Sequence, residues 1–447
     1  MRRESFSPWT GEAVWSGRDD GRLDRVLARA AGCAVPVDAK ARLDALAAGI
    51  AKHRATAVDL LIREAGKVRA DAEAEVDLLA RKIALSIGPG LERTPLAADA
   101  KLLPRTWSEP AIAWRPRGVA LCIGPFNFPL HLLHGLVVPA LAVGCPVIAK
   151  PSERTPALGC WYRDRLAEAG FGDEAQVVIG DAAAVRKLAR SPVVATVAAV
   201  GSRRMGLALA KLLAPRPETV LALELGGVNH ALLCDDADLA LAVPALADGA
   251  WRMAGQRCTA TRIVHVHRRR LDDLLDRLVA ARGQWLANGT SLAPLGPLIS
   301  AGERERFQAA FRDADAGWQV VHGSLHGEGA FAEPVILRVF EAGRSSPRYT
   351  EEHFGPHLII DVFDDEPEAV GRMRANAYRL SASVWTADKD RFRRLAPRLP
   401  YGLVSWNRNT AGARSDLPFG GTGLSGNGRP AAVAAGQIFA DETVIGL

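Results

Sequence analysis

The chain has 447 residues, 48% hydrophobic and 24% charged, with six cysteines. This balance excludes disordered, collagen-like and disulfide-stapled classes and is sufficient for two or three packed domains. The net charge of +6 suggests a nucleic-acid partner, but the arginines are scattered among Asp and Glu and the densest run, His267–Arg270, passes into the amphipathic stretch Leu271–Leu278; with no basic stripe interleaved with aromatics, no nucleic-acid partner is expected.

The opening "MRRESFSPWTGEAVW" lacks the apolar core of a secretory signal. The cysteines form no C-x-x-C pair, so a reducing, cytoplasmic setting is expected. From Ala39 to Ile87 apolar residues recur at helical spacing, which predicts two long amphipathic helices broken near Glu64–Lys67. A strand is expected around Ala111–Pro116, then a short buried strand ending in the Gly124–Pro125 turn. The most apolar stretch, Leu136–Ala149, is interrupted by Pro139, Gly144 and Pro146 and is too short to span a bilayer.

From His131 to Gly227 the pattern alternates between helix and strand, which means a parallel sheet with helices on both faces. A second α/β region follows Asn229. A glycine-rich loop begins at Gly420, and "ETVIGL" reads as a last apolar strand. The expected fold is α/β with two nested domains.

Several residues at predicted strand ends carry chemistry. "GPFNFP" holds Asn127 in a rigid loop, where its amide is either a turn element or a donor to an oxyanion. The strand "VIAK" delivers Lys150, Ser152 and Glu153 to a carboxyl edge, where doubly wound sheets bind ligands; the alternative for Lys150 and Glu153 is a surface ion pair. Gly201 and Ser202 close a buried strand just before a helix, a setting suited to phosphate. Glu224 ends another buried strand beside two glycines, as a cap or as a base with a raised pKa.

Gly421, Gly423 and Gly426 fit G-x-G-x-x-G literally, but neither a strand before nor a helix after is predicted, so they read as a structural turn. The ten histidines show no metal-ligand spacing, and no metal is expected. Among the cysteines, Cys258 alone stands in a polar, glycine-adjacent loop, "GQRCTA", suited to a nucleophile. Cys33, Cys122, Cys145, Cys160 and Cys234 lie in apolar or helical runs and are expected as buried fillers.

Taken together, "GPFNFP", "AKPSERTP", "ELGG" with Asn229, "GQRC", "EEHFGP" and "PFGG…SGNGR" stand in the order in which they occur in the aldehyde dehydrogenase superfamily, which the chain resembles over nearly its whole length. The opening "SPWTGEAVW", "NFPLHLLHG" and the glycine at Gly423, where most of the superfamily has lysine, are similar to the subgroup that oxidises N-succinylglutamate 5-semialdehyde in arginine catabolism.

The resemblance implies two doubly wound domains and a small β oligomerisation element. Residues 1–97 and 117–227 would bind NAD, 228–425 would carry catalysis, and 98–116 with 426–447 would form the element, in a homodimer or homotetramer. It implies Cys258 as nucleophile, Asn127 as oxyanion donor and Glu224 as the base that activates water. Lys150, Ser152, Glu153, Gly201 and Ser202 would hold the adenine ribose and pyrophosphate, and Glu352 with Phe354 the nicotinamide end.

Arg257 and Arg414 are candidates to clamp substrate carboxylates, against an ordinary structural or surface role. Alternatives are a broader semialdehyde dehydrogenase, a coenzyme-A-acylating enzyme, or an idle NAD-binding relative. "AVGS" in place of Phe-Thr-Gly-Ser, Val228 in place of lysine, a late start expected to omit the family's first hairpin, and a short C-terminal tail depart from the pattern.

Overall fold

The computed structural model describes residues 2–34, 38–96, 110–286, 294–312 and 317–445. The chain opens on an antiparallel hairpin, β1 (Arg2–Phe6) and β2 (Ala13–Arg18), with "SPWTGE" as its turn. After α1 (Leu23–Gly32), the region expected as two helices folds as three: α2 (Ala39–Lys52), α3 (Arg54–Ala65) and α4 (Arg69–Leu85). One break falls where expected. Gly66 takes φ +72, and the N–H groups of Gly66 and Lys67 return to the Leu61 carbonyl, a left-handed helix cap suited to glycine. The other break is at His53, whose N–H bonds back to Gly49 while its carbonyl restarts the ladder at Ala57. No Gly or Pro marks that point, so the apolar period runs through it unbroken.

The alternation then follows as β3 (Ala111–Pro116), β4 (Val119–Ile123), α5 (His131–Ala142), β5 (Val147–Lys150), α6 (Pro156–Glu168), β6 (Ala175–Val177), α7 (Ala182–Arg190), β7 (Val194–Val200), α8 (Arg203–Leu213) and β8 (Val220–Glu224). Strands β8-β7-β4-β5-β6 form a parallel sheet in that order. Residues of α2 to α6 bury one face and residues of α1, α7 and α8 the other. The chain lays β4, β5 and β6 outward to one side, then returns to place β7 and β8 on the other side of β4. The reversal opens a crevice at the carboxyl ends of the central strands, where ligands bind in such sheets.

From β8 the chain crosses to β9 (Asn229–Leu233), α9 (Leu239–Trp251) and β10 (Thr261–His267). These strands are the centre of a seven-stranded sheet in the order Trp318–His322, Val335–Val339, His357–Phe363, β10, β9, Ser381–Trp385, Leu403–Trp406, parallel except for the first. Two parallel-sheet units therefore meet where β8 hands over to β9, and the fold is the α/β arrangement expected. A separate two-stranded ribbon pairs β3 with Ala440–Ile445 antiparallel. Residues 98–109, assigned from sequence to the small β element, lie outside the described residues.

Candidate active site

Four loops at the carboxyl edge of the first sheet converge on one crevice. The loop after β4 carries Asn127, which is buried. Its Oδ1 accepts the N–H of Phe128 at 3.1 Å, which fixes the carboxamide so that Nδ2 donates to the backbone carbonyl of Gln256 at 2.8 Å. An amide nitrogen has two hydrogens, so the same group retains a second donor, two residues before Cys258.

The loop bearing Cys258 approaches from the second sheet along an unusual path. Met253, Ala254 and Gly255 take φ values of 58°, 53° and 67°, three consecutive left-handed residues, two of them with a Cβ. At Gly255 a Cβ would stand 2.0 Å from the Gly355 carbonyl oxygen, so only glycine fits. Gln256 is then anchored, its Oε1 accepting from the Ile299 N–H at 2.9 Å. Asn229, the first residue of β9, donates to the carbonyls of Cys258 (2.7 Å) and Ala260 (2.9 Å) and accepts from Ser381 N–H (3.0 Å). The backbone around the cysteine is thus held by two side-chain amides, Asn127 at the Gln256 carbonyl and Asn229 at its own.

All six cysteines are free thiols. Cys122, Cys145 and Cys234 are buried as expected, but Cys33 and Cys160 are half-buried. Cys33 stands just past the end of α1, and Cys160 lies on α6 at the margin of the core. Burial pushes the Cys258 thiol far up, with the carboxylates of Glu224 and Glu352 adding to it and Arg257 opposing.

Glu224 is 1% exposed. Burial raises it to about 8, opposed by the bond from the Gly421 N–H at 3.4 Å and by the charge of Arg429. Its Oε1 is buried with no hydrogen-bond partner among the described residues, an arrangement that favours a carboxyl able to exchange a proton over a structural cap. The glycine-rich turn proves structural, as expected: Gly426 pairs with Glu224 and Ser425 accepts from Leu225 N–H. Its role in holding Glu224 has no local sequence signal.

The two glycines of "ELGG" have separate reasons. A Cβ on Gly226 would lie 1.9 Å from Glu352 Oε2, and one on Gly227 would lie 2.5 Å from the Cys258 carbonyl oxygen. They let Glu352 and the nucleophile loop pack directly on the crossing between the sheets. Glu352 accepts from Gly227 N–H at 2.9 Å and is raised by burial to about 7.

The crevice also fits a dinucleotide. Lys150 is buried and donates to Glu153 at 3.0 Å; burial pushes Glu153 up, but Lys150 and the backbone outweigh it and leave the carboxylate below its usual range. The pair is therefore real and sits on the strand edge, with Ser152 Oγ turned to the Arg154 N–H. Gly201 follows β7, and a Cβ there would meet Met205 Cε at 2.7 Å. Ser202 caps α8 by accepting from Met205 N–H, leaving the first amides of the helix available to an anion. Phe354 meets Phe126 edge-on at 6.1 Å across the crevice. Polar groups at a strand edge, a helix N-terminus and an aromatic wall together suit a nicotinamide dinucleotide.

The two candidate arginines part company. Arg257 donates through Nη2 to the Ala411 carbonyl at 3.0 Å, while Nη1 is buried without a partner among the described residues. Arg414 is bound in two bonds to Asp416, with its side chain 60% exposed, so it serves as a surface pair.

Sequence reasoning missed Arg262. It is 1% exposed on β10 and donates to the carbonyls of Gly355 and Gly255, tying the Glu352 loop to the Cys258 loop. The available signal was a single arginine in the buried strand "TRIVHVH". Among the described residues no group of His, Cys, Asp and Glu could hold a metal ion, and no helix is long and apolar enough to cross a membrane.

A thiol, a perturbed acid and an amide donor are thus gathered at the carboxyl edge of a doubly wound sheet, the place where such sheets bind ligands. The pattern described as "Aldehyde dehydrogenase family" matches residues 30–443. The chain belongs to the aldehyde dehydrogenase family and is an oxidoreductase acting on aldehydes with a nicotinamide cofactor.

It is 34% identical to N-succinylglutamate 5-semialdehyde dehydrogenase 1 of Caulobacter vibrioides over 98% of this chain and 94% of the relative. It is 32% identical to N-succinylglutamate 5-semialdehyde dehydrogenase of Novosphingobium aromaticivorans over the same shares. Among solved structures, a lactaldehyde dehydrogenase superposes with a TM-score of 0.91 at 26% identity, covering 100% of this chain and 95% of that one. An E. coli NADP dependent enzyme superposes with 0.89 at 25% identity, covering 100% and 94%.

Proposed function

We propose that the protein oxidises N-succinyl-L-glutamate 5-semialdehyde to N-succinyl-L-glutamate with NAD, as a cytoplasmic step of arginine catabolism through the succinyltransferase route. The names of its relatives support the substrate. The observation that carries the reading is the buried Nη1 of Arg257, next in sequence to Cys258, which has no hydrogen-bond partner among the described residues: a guanidinium close enough to act on the Cys258 thiol suits a carboxylate-bearing aldehyde. The carboxylate of Glu153, which would repel a 2′-phosphate, supports NAD over NADP.

In this reading Cys258 releases its thiol proton to solvent as Sγ adds to the aldehyde carbon, and the oxygen that becomes anionic is met by the second amide hydrogen of Asn127 and by the Cys258 backbone N–H. Lys150, Ser152, Glu153, Gly201 and Ser202 hold the adenine ribose and pyrophosphate, and Glu352 with Phe354 the nicotinamide end. The bound dinucleotide supplies the hydride acceptor. Glu224 takes a proton from the water that hydrolyses the resulting Cys258 thioester. Residues 1–97 with 117–227 and 228–425 act as the cofactor and catalytic units, and the ribbon joins copies into a dimer or tetramer.

A panel of aldehydes with NAD and NADP, scored by reduced-cofactor absorbance, tests the assignment. The expected result is the highest kcat/KM for N-succinylglutamate semialdehyde with NAD. One observation favours a second reading, a semialdehyde dehydrogenase for a shorter monocarboxylate: Arg414 is engaged by Asp416, which leaves one open guanidinium. A higher kcat/KM for succinate semialdehyde would establish that alternative.

A further inference from the structure

We propose that the buried ion pair Lys67–Glu75 is a positioning device for the oxyanion donor Asn127, locking the Asn127 loop and the Cys258 loop in register; this rests on the roles given above to Asn127 and Cys258.

The pair is built into the turn between α3 and α4. Gly66 in its left-handed cap directs Lys67 inward, and Nζ lies 2.7 Å from Glu75 Oε2, with the side chains 3% and 0% exposed. Glu75 Oε1 accepts the N–H groups of Leu130 and His131, both at 2.9 Å. Those amides open α5, directly behind the loop of Asn127. Lys67 Nζ also stands 3.9 Å over the ring of Phe128, the residue whose N–H fixes Asn127 Oδ1. On its other side Nζ reaches Met253 Sδ at 3.9 Å, in the left-handed segment that leads to Gln256. One ammonium therefore touches one residue in each of the two loops that the Asn127–Gln256 bond joins.

Stability alone does not account for this arrangement. A neutral glutamine at position 75 would also cap α5, and burying two charges costs several kcal/mol, which their attraction does not reliably return. What the ammonium adds is simultaneous contact with an aromatic face and a thioether from the two converging loops. Displacing a reacting group by about 1 Å can cost on the order of 100-fold in rate.

The test uses the full chain with its preferred aldehyde from the panel. K67M is expected to lower kcat by about 10- to 100-fold with KM changed less than about twofold. The double variant K67M/E75Q keeps an acceptor for α5 and buries no unpaired charge, so thermal stability should return toward that of the wild type while kcat stays low. K67R, which restores a cation, should recover part of kcat. A double variant with wild-type stability and wild-type kcat overturns the proposal, as does a K67M defect confined to KM. C258A is run alongside. If it retains aldehyde-dependent turnover, the catalytic reading has failed; if it is inactive while K67M turns over normally, only the positioning role has failed.

Discussion

The side-chain amide of Asn127 is bonded to the backbone carbonyl of Gln256 at 2.8 Å, so the proposed oxyanion donor of one sheet unit is physically tied to the proposed nucleophile loop of the other. The bond presets the donor before any aldehyde arrives. N127A should lower kcat by about 10²- to 10³-fold, as loss of one oxyanion donor does elsewhere. N127D, which replaces N–H with an acceptor facing the Gln256 carbonyl, should be at least as impaired and also less stable. Steady-state kinetics with a thermal melt on each variant checks both.

Glu224 makes the rate depend on pH in a defined direction. A base must be ionised to accept a proton, and burial raises this carboxyl to about 8, so thioester hydrolysis should increase as pH rises through about 8. E224Q should lose that rise while keeping a pre-steady-state burst of reduced cofactor.

The same group acts on stability with the opposite sense. Its folded pKa lies above the ordinary 4.5, so the native state favours the protonated form. Its contribution is complete below about 4.5 and is lost as pH climbs through about 8. The melting temperature of E224Q should therefore gain on that of the wild type between pH 5 and 9. Glu352, also raised, is common to both proteins and cancels in the difference.

Arg262 has no carboxylate partner among the described residues; burial lowers it to about 10, and its two bonds go to the carbonyls of Gly255 and Gly355. R262M should cost about 2–5 kcal/mol in urea denaturation, because two buried carbonyls lose their donor. R262K should rescue little, since an ammonium cannot reproduce the fork. Both variants should alter the rate at which iodoacetamide alkylates Cys258, because the loops of Cys258 and Glu352 are no longer joined.

On the two-stranded ribbon Ile112 and Val444 stand opposite each other, 56% and 53% exposed. An apolar pair on such a ribbon is suited to contact with another copy. I112E/V444E should shift the assembly to a smaller species by light scattering while leaving the monomer folded by circular dichroism. An unchanged mass would remove the ribbon from the assembly proposal.

What could be read in advance depended on how local its cause was. The break at Gly66 was legible because a left-handed cap needs glycine, whereas the break at His53 was not, because nothing in Lys52-His53-Arg54 opposes a helix. The strand–helix alternation and the residues at strand ends could be read from periodicity. The partners of Glu224 could not, since the Gly421 amide reaches it through chain pairing almost two hundred residues away. Arg257 and Arg414 looked alike as sequence; only burial of one and a neighbouring Asp416 for the other separates them.

The left-handed run from Met253 to Gly255 has an implication for engineering. Each non-glycine residue in that region stores on the order of 1–3 kcal/mol, so the segment that leads to the Cys258 loop holds strain at two consecutive positions. A stability screen would be drawn to M253G or A254G as apparent improvements. Such gains would come from slackening the segment whose stiffness keeps the sulfur in place. In this enzyme, a more durable chain obtained at those two positions should be a slower one.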